Sequence, residues 1–159
     1  MAEWDRYLCV ARVDGIDRVF FWESDNEGND RIVLDDEGFV RAFPSEAAAR
    51  ETSHASSEEP SVYDLDSIAA WCRSSDEVAD CRALLNAWNL FGDLPRGENL
   101  FAAADVRANQ LYEKLFMGCN LPSITPPGEE YVPSWTASEV ATLKRLLLLG
   151  LAELRARLR

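Results

Sequence analysis

Any chemistry in this chain would have to come from one histidine, four cysteines and 28 carboxylates. The histidine, His54, lies in SHASSEEPS (53–61), a Ser-rich stretch broken by Pro60. Such composition marks a linker, whereas a general base must be held within hydrogen-bond reach of its nucleophile. A Ser-His-Asp or Cys-His site therefore has no usable base. Cys9, Cys72, Cys81 and Cys119 lie far apart, without a C-x-x-C or a Cys/His spacing suited to zinc. They are expected to be free thiols of a reducing cytoplasm. The phosphate-cradling patterns G-x-x-x-x-G-K-[ST] and G-x-G-x-x-G are absent. Asp25-Asn26-Glu27-Gly28-Asn29-Asp30 lacks the alternating carboxylate frame and the distal bidentate Glu of a calcium loop, and reads as a hairpin turn. A carboxylate pair flanked by some of the five tryptophans is the pattern of a glycosidase. No pair stands out, and the Trp positions fit core stripes. The expectation is a protein with no catalytic residues, no metal site and no cofactor.

Charge is the more informative property. The 159 residues carry a net −12, and the excess is concentrated. Residues 1–66 hold 17 Asp/Glu against 6 Arg, whereas residues 67–159 hold 11 Asp/Glu against 10 Lys/Arg. A field of that sign repels nucleic acid and anionic membrane and attracts basic proteins. No basic patch with interleaved aromatics offers a nucleic-acid surface. The basic C-terminus, RARLR, fits the negative end of a helix dipole. The aliphatic run LLLLGLA (146–152) is too short to span a bilayer. The N-terminus, MAEWDRYLCV, is polar and acidic, so no signal peptide is visible. A cytoplasmic location is expected.

The elements that would position these charges follow from periodicity. RYLCVARV (6–13), IDRVFFWES (16–24), DRIVLDD (30–36) and FVRAF (39–43) are rich in β-branched and aromatic residues and separated by Gly-bearing turns. They predict a four-stranded antiparallel meander. Ser45-Glu46 opens a short Ala-rich helix to about 53, and 54–63 reads as a linker. Asp64 or Asp66 can cap a short helix through Trp71. Ser74-x-x-Glu77 reads as a capping box opening a helix with Val78, Cys81, Leu85 and Trp88 on one face. A further helix is expected from about 103 to 117, with Ala104, Ala108, Leu111 and Leu115 on one face. Thr136-x-x-Glu139 starts the last, with Val140, Leu143, Leu147, Leu151, Leu154 and Leu158 along one side. Leu146, Leu148 and Leu149 broaden that side, so its middle is expected to be buried all round.

The fold class is thus α+β: an N-terminal antiparallel meander packed against a C-terminal helical layer, in one domain spanning 1–159. The segment 118–135 holds four of the seven prolines and connects two helices. It reads as a stiff connector whose Leu121, Ile124, Tyr131, Val132 and Trp135 tuck inward, or as a display for Glu129-Glu130-Tyr131.

Carboxylates at the hairpins suit capture of a basic protein, and a nuclease with its positive phosphate cleft is a natural target. The residues expected to face the partner are Asp14, Asp17, Glu23, Asp25, Glu27, Asp30, Asp35, Asp36 and Glu37, with Glu129 and Glu130 second. Through DRVFFWESDNEGNDRIVLDDEGFVRAF (17–43) and LYEKLFMGCNLPSITPPGEEYVPSW (111–135), the chain resembles the immunity proteins of bacterial contact-dependent growth inhibition and related polymorphic toxin systems. That resemblance implies a small cytoplasmic protein that neutralises one cognate toxin domain, frequently a nuclease, and it carries over no site residues. The alternative is a non-catalytic adaptor or regulatory subunit of a cytoplasmic complex.

Overall fold

The sheet starts from Asp14-Gly15, where both residues take positive φ, 54° and 74°. That mirror-image turn matches the right-handed twist of the strands it joins. It links β1 (Trp4–Val13) to β2 (Ile16–Asp25), in register from Trp4 opposite Asp25 to Val13 opposite Ile16. The Asp66 carboxylate clamps the turn, accepting the N–H groups of Asp14 (2.7 Å) and Gly15 (2.8 Å). β3 (Asp30–Ile32) pairs antiparallel with β2, and β4 (Ser61–Asp64) pairs parallel with β1. The computed structural model describes residues 3–95 and 106–159.

The protein is α+β with a four-stranded sheet in the order β3-β2-β1-β4. The sheet is mixed, which corrects the expected all-antiparallel meander. FVRAF is not its fourth strand. Residues 39–43 make only isolated bridges, Val19 with Phe43 and Leu34 with Val40, and the Val40 N–H goes instead to the Arg157 carbonyl at 2.8 Å. The fourth strand comes from Ser61–Asp64, at the end of the stretch read as a linker. Returning parallel to β1 requires a crossover, and α1 (Glu46–Thr52), capped by the Ser45 hydroxyl on the Ala48 N–H at 3.1 Å, lies on it.

Both faces of the sheet are covered. Leu8, Val19 and Phe21 pack with Ala49 of α1 and with Ala55. Cys9, Ala11, Val13, Phe20 and Ile32 join the main core with α2 (Leu65–Arg73), α3 (Cys81–Gly92), α4 (Val106–Gly118) and α5 (Ala137–Arg157). Hence Val19, Phe20 and Phe21 are all buried in succession, as in strands covered on two sides.

Helix starts follow local capping chemistry, with one correction. Thr136 and Glu139 form the expected capping box, at 3.1 and 2.9 Å. Asp64 caps α2. The Ser74 box does not form. Ser74 closes α2 instead, its hydroxyl donating to the Trp71 carbonyl at 2.7 Å, and Asp80 caps α3. Trp71 Nε1 donates to the Val78 carbonyl and Lys144 Nζ to the carbonyls of Ser74 and Asp76. Those three hydrogen bonds hold 74–78 as a loop and leave Val78 78% exposed rather than on a buried stripe. The start of α4 expected near 103, with Ala104, lies outside the described residues. Its Ala108, Leu111 and Leu115 are buried as expected.

In α5, Leu143, Leu147, Leu151 and Leu154 are fully buried, each contributing about 2 kcal/mol. Leu149 is 47% exposed, so the middle of the helix is not buried all round. Gly150 brings α5 close to α3, since a Cβ there would lie 2.3 Å from a ring carbon of Phe91. Overpacking costs about 1–3 kcal/mol and removing a mid-helix glycine returns up to about 1. Gly150→Ala should therefore lose about 1–2 kcal/mol in urea unfolding, and an unchanged midpoint would mean that the Phe91 ring swings freely aside.

The proline-rich connector is fastened by Asn120, which takes φ 51°. Its amide donates to the Tyr131 carbonyl at 3.0 Å and accepts the Tyr131 N–H at 2.7 Å. Trp135 packs on the core under Lys114, and Leu121 is half-buried. Ile124, Tyr131 and Val132 are exposed, against the inward-tucking reading, and Tyr131 stands outward with Glu129 and Glu130 while the Asn120 clamp holds its backbone. Among the described residues no helix is long and apolar enough to cross a membrane.

Candidate functional site

Ion pairing sorts the predicted partner-facing carboxylates into groups. Glu23 is only 4% exposed and cannot face a partner. Its register neighbours are Arg6 on β1 and Arg31 on β3. Both guanidinium groups bond it, Arg6 Nη2 at 2.5 Å and Arg31 Nη2 at 2.7 Å. At the Val13/Ile16 end of the sheet, Asp17 pairs with Arg12 at 2.8 Å and Asp14 with Arg155 at 2.8 Å. Glu37 pairs with Arg159, and Arg157 donates to the Gly38 carbonyl. The basic C-terminus thus neutralises one end of the acidic sheet, beyond its fit to the helix dipole.

Asp25 and Asp35 are occupied by their own turns. Asp25 accepts the Asn29 side-chain amide and the N–H groups of Asn29 and Glu27, which hold its carboxyl below the ordinary range. Bonds from the N–H groups of Phe39 and Glu37 do the same for Asp35. Glu27, Asp30, Asp36, Glu129 and Glu130 are exposed, and none of them is ion-paired to another described residue. Glu27 and Asp30 lie at the Trp4/Asp25 end. Glu129 and Glu130 rim a shallow depression with Met117, Ile124 and Tyr131 on the separate connector.

Two recesses meet at Trp22, towards the Trp4/Asp25 end. A recess of about 330 Å³ opens between the helix-facing side of the sheet and the helices α3 and α4, lined by Trp22, Asp30, Tyr63, Asn89, Asp93 and Tyr112. A second, of about 380 Å³, adjoins it across Trp22 and Tyr63 and is lined by Tyr7, Glu58 and Glu59. The pairing of β1 with β2 sets Tyr7 opposite Trp22, with ring centroids 5.4 Å apart. The parallel β4 places Tyr63 beside Ala11, and Glu58 and Glu59 are carried in on its approach. Asp93 is the residue that ends α3, and its carbonyl accepts the Ile32 N–H at 2.9 Å, which ties that helix end to β3.

Asp93 Oδ2 accepts Trp22 Nε1–H at 3.0 Å. Burial pushes its carboxyl up to about 6, the indole bond opposing and the charge of Asp30 adding. Tyr112 donates to Asn89 Oδ1 at 2.9 Å and packs edge-on against Trp88. Burial, with the neighbouring Cys9 and Asp93, raises the Tyr63 phenol. It pushes the Cys9 thiol up to about 12 and that of Cys72 to about 11. Cys81 and Cys119 are raised as well, so none of the four thiols is poised as a thiolate nucleophile. Among the described residues no group of three or more His, Cys, Asp or Glu is placed to hold a metal ion. His54 is exposed.

Such an arrangement accepts hydrogen bonds and positive charge and offers flat aromatic walls. Of its residues the sequence reading had singled out only Asp30. Asp93, Glu58, Glu59 and the three rings depend on pairings across the sheet, and no local pattern announces them. The chain matches no family model, no curated protein and no solved structure.

Proposed function

We propose that the protein is an immunity protein, a cytoplasmic inhibitor that binds a basic toxin domain, with a nuclease as the target class. One observation supports this best. Asp14, Asp17 and Glu37 are paired with arginines, while Glu27, Asp30, Glu58 and Glu59, towards the Trp4/Asp25 end, form no ion pair with a described residue and lie around or beside aromatic recesses. Glu3, Asp5, Glu27, Asp30, Glu58 and Glu59 are all exposed there. The two arginines on the strands at that end, Arg6 and Arg31, are taken up by Glu23. The remaining charge is directional, suited to steering and orienting a cationic partner.

Affinity capture with the tagged protein from its host at low salt should bring down a basic protein that high salt releases. Joint substitution Glu27→Lys, Asp30→Lys and Glu59→Lys should then weaken binding about ten- to hundredfold with the melting temperature unchanged. Asp25 is left intact because it holds its turn. Unaltered affinity would remove this end from the proposal. A captured protein without toxic activity would replace inhibition with an adaptor role.

A further inference from the structure

Resting on that reading, we infer that the recess beside Trp22 is the anchor point for one arginine side chain of the partner, held by Asp93 and Asp30 between the rings of Trp22, Tyr63 and Tyr112. Two carboxyl groups share this recess, and no described cation lines it. Among the described residues, Asp93 takes a single side-chain bond, from Trp22, and Asp30 makes no side-chain hydrogen bond. Acceptor capacity is therefore left over for a ligand, facing a recess that is open enough for one to enter.

The shape selects among cations. Flat walls suit the planar, weakly hydrated guanidinium, which stacks on rings while its fork of N–H groups reaches carboxylates. A lysine ammonium gains less from the walls and loses more hydration. A neutral sugar would leave the charge of Asp30 and Asp93 unmet. A divalent ion would need a third ligand, which the described residues do not supply.

Capture is coupled to protonation. The described titratable groups around Asp93 are Asp30 on β3, Tyr63 on β4, Cys9 on β1 and Tyr112 on α4. Cys9 and Tyr63 are raised and stay neutral at physiological pH, so Asp93 is the switch. A guanidinium binds its ionised form. With the carboxyl at about 6, only about a tenth is ionised at pH 5, so apparent affinity there should be about tenfold below that at pH 7.5.

The test is a titration of the full chain with N-acetyl-arginine amide, read at the indole N–H resonance of Trp22. Saturable shifts are expected, about tenfold weaker at pH 5, lost in Asp93→Asn and reduced several-fold in Asp30→Asn. N-acetyl-citrulline amide, of the same shape without the charge, should give none. Asp30 is exposed, so its variant keeps the test valid if Asp93→Asn folds poorly. Absence of saturation, equal binding of the citrulline probe, or full binding by a folded Asp93→Asn would overturn the anchor. So would a basic partner that binds wild type and Asp93→Asn equally, although the acidic edge would then stand as its dock. Failure of the inhibitor reading shows differently, as the lack of any salt-released basic protein whatever the probe does.

Discussion

Asp93→Asn should make the protein more stable at pH 8 than the wild type, by about 2 kcal/mol, with the difference closing towards pH 4.5. Burial raises this carboxyl from its ordinary 3.8 to about 6. Between those values the folded state holds a proton that the unfolded state has released. Stability therefore falls as pH rises through that window and levels off above about 7. The span from 3.8 to about 6, at about 1.4 kcal/mol per pH unit, bounds the cost of ionising Asp93 at about 3 kcal/mol. Asp93 is partly open to solvent, which screens the charge and brings the figure nearer 2. Asparagine keeps an acceptor for Trp22 Nε1–H and carries no charge, so it escapes that cost. Paired urea titrations at pH 4.5 and 8 measure it, and a gap of the same size at both values would place the effect in packing instead. A carboxylate that weakens the free protein at working pH is the trade expected where a site waits for a cation.

The hairpin and the last helix were legible because each is written in adjacent residues. Asp14-Gly15 supplies a turn, and Thr136 with Glu139 supplies a cap whose partners lie within one turn of helix. The fourth strand was not. Ser61–Asp64 pairs with Cys9–Arg12, far away in the chain, and its polar flanks resemble a loop. Parallel pairing of distant segments leaves no local signature, whereas the apolar FVRAF imitates a strand while spending its backbone bonds on α5 and on single bridges. The Ser74 box failed for a related reason: donors from Trp71 and Lys144, the latter on a helix far along the chain, took the carbonyls of that loop. The candidate site was legible as charge and not as place. Excess acidity was plain, but which carboxylates stay free depends on where Arg155, Arg157 and Arg159 land. Asp93 reads as an ordinary residue after a helix until β2 brings Trp22 to it.

Glu23 shows the same limit from the other side, and Glu23→Ala is the second large effect expected. Strand alternation places Glu23 with Phe21 on the α1 side of the sheet, between Arg6 and Arg31 in register. Breaking a fully buried ion pair costs about 3–5 kcal/mol, because the surviving charge stays stranded. Here the surviving side chains are 25% and 47% exposed, so water recovers part of that, and a loss of about 2 kcal/mol is expected. Arg6 adds to the cost, since it also donates to the Ser53 hydroxyl at the end of α1 and lies 4.8 Å over the Phe21 ring. Without Glu23 its aim is lost and with it the tie between sheet and helix. Burial raises the Glu23 carboxyl, but the bonds from Arg6 and Arg31 outweigh it and leave the group below its ordinary 4.5. Its contribution is therefore full above about 4.5 and lost as pH falls through the folded value. The gap between wild type and Glu23→Ala should narrow in acid, opposite to the behaviour of Asp93→Asn. Urea unfolding at pH 7 and pH 3.5 checks both sign and size. An unchanged midpoint at pH 7 would mean that the arginines, and not the carboxylate, hold these strands and α1 together.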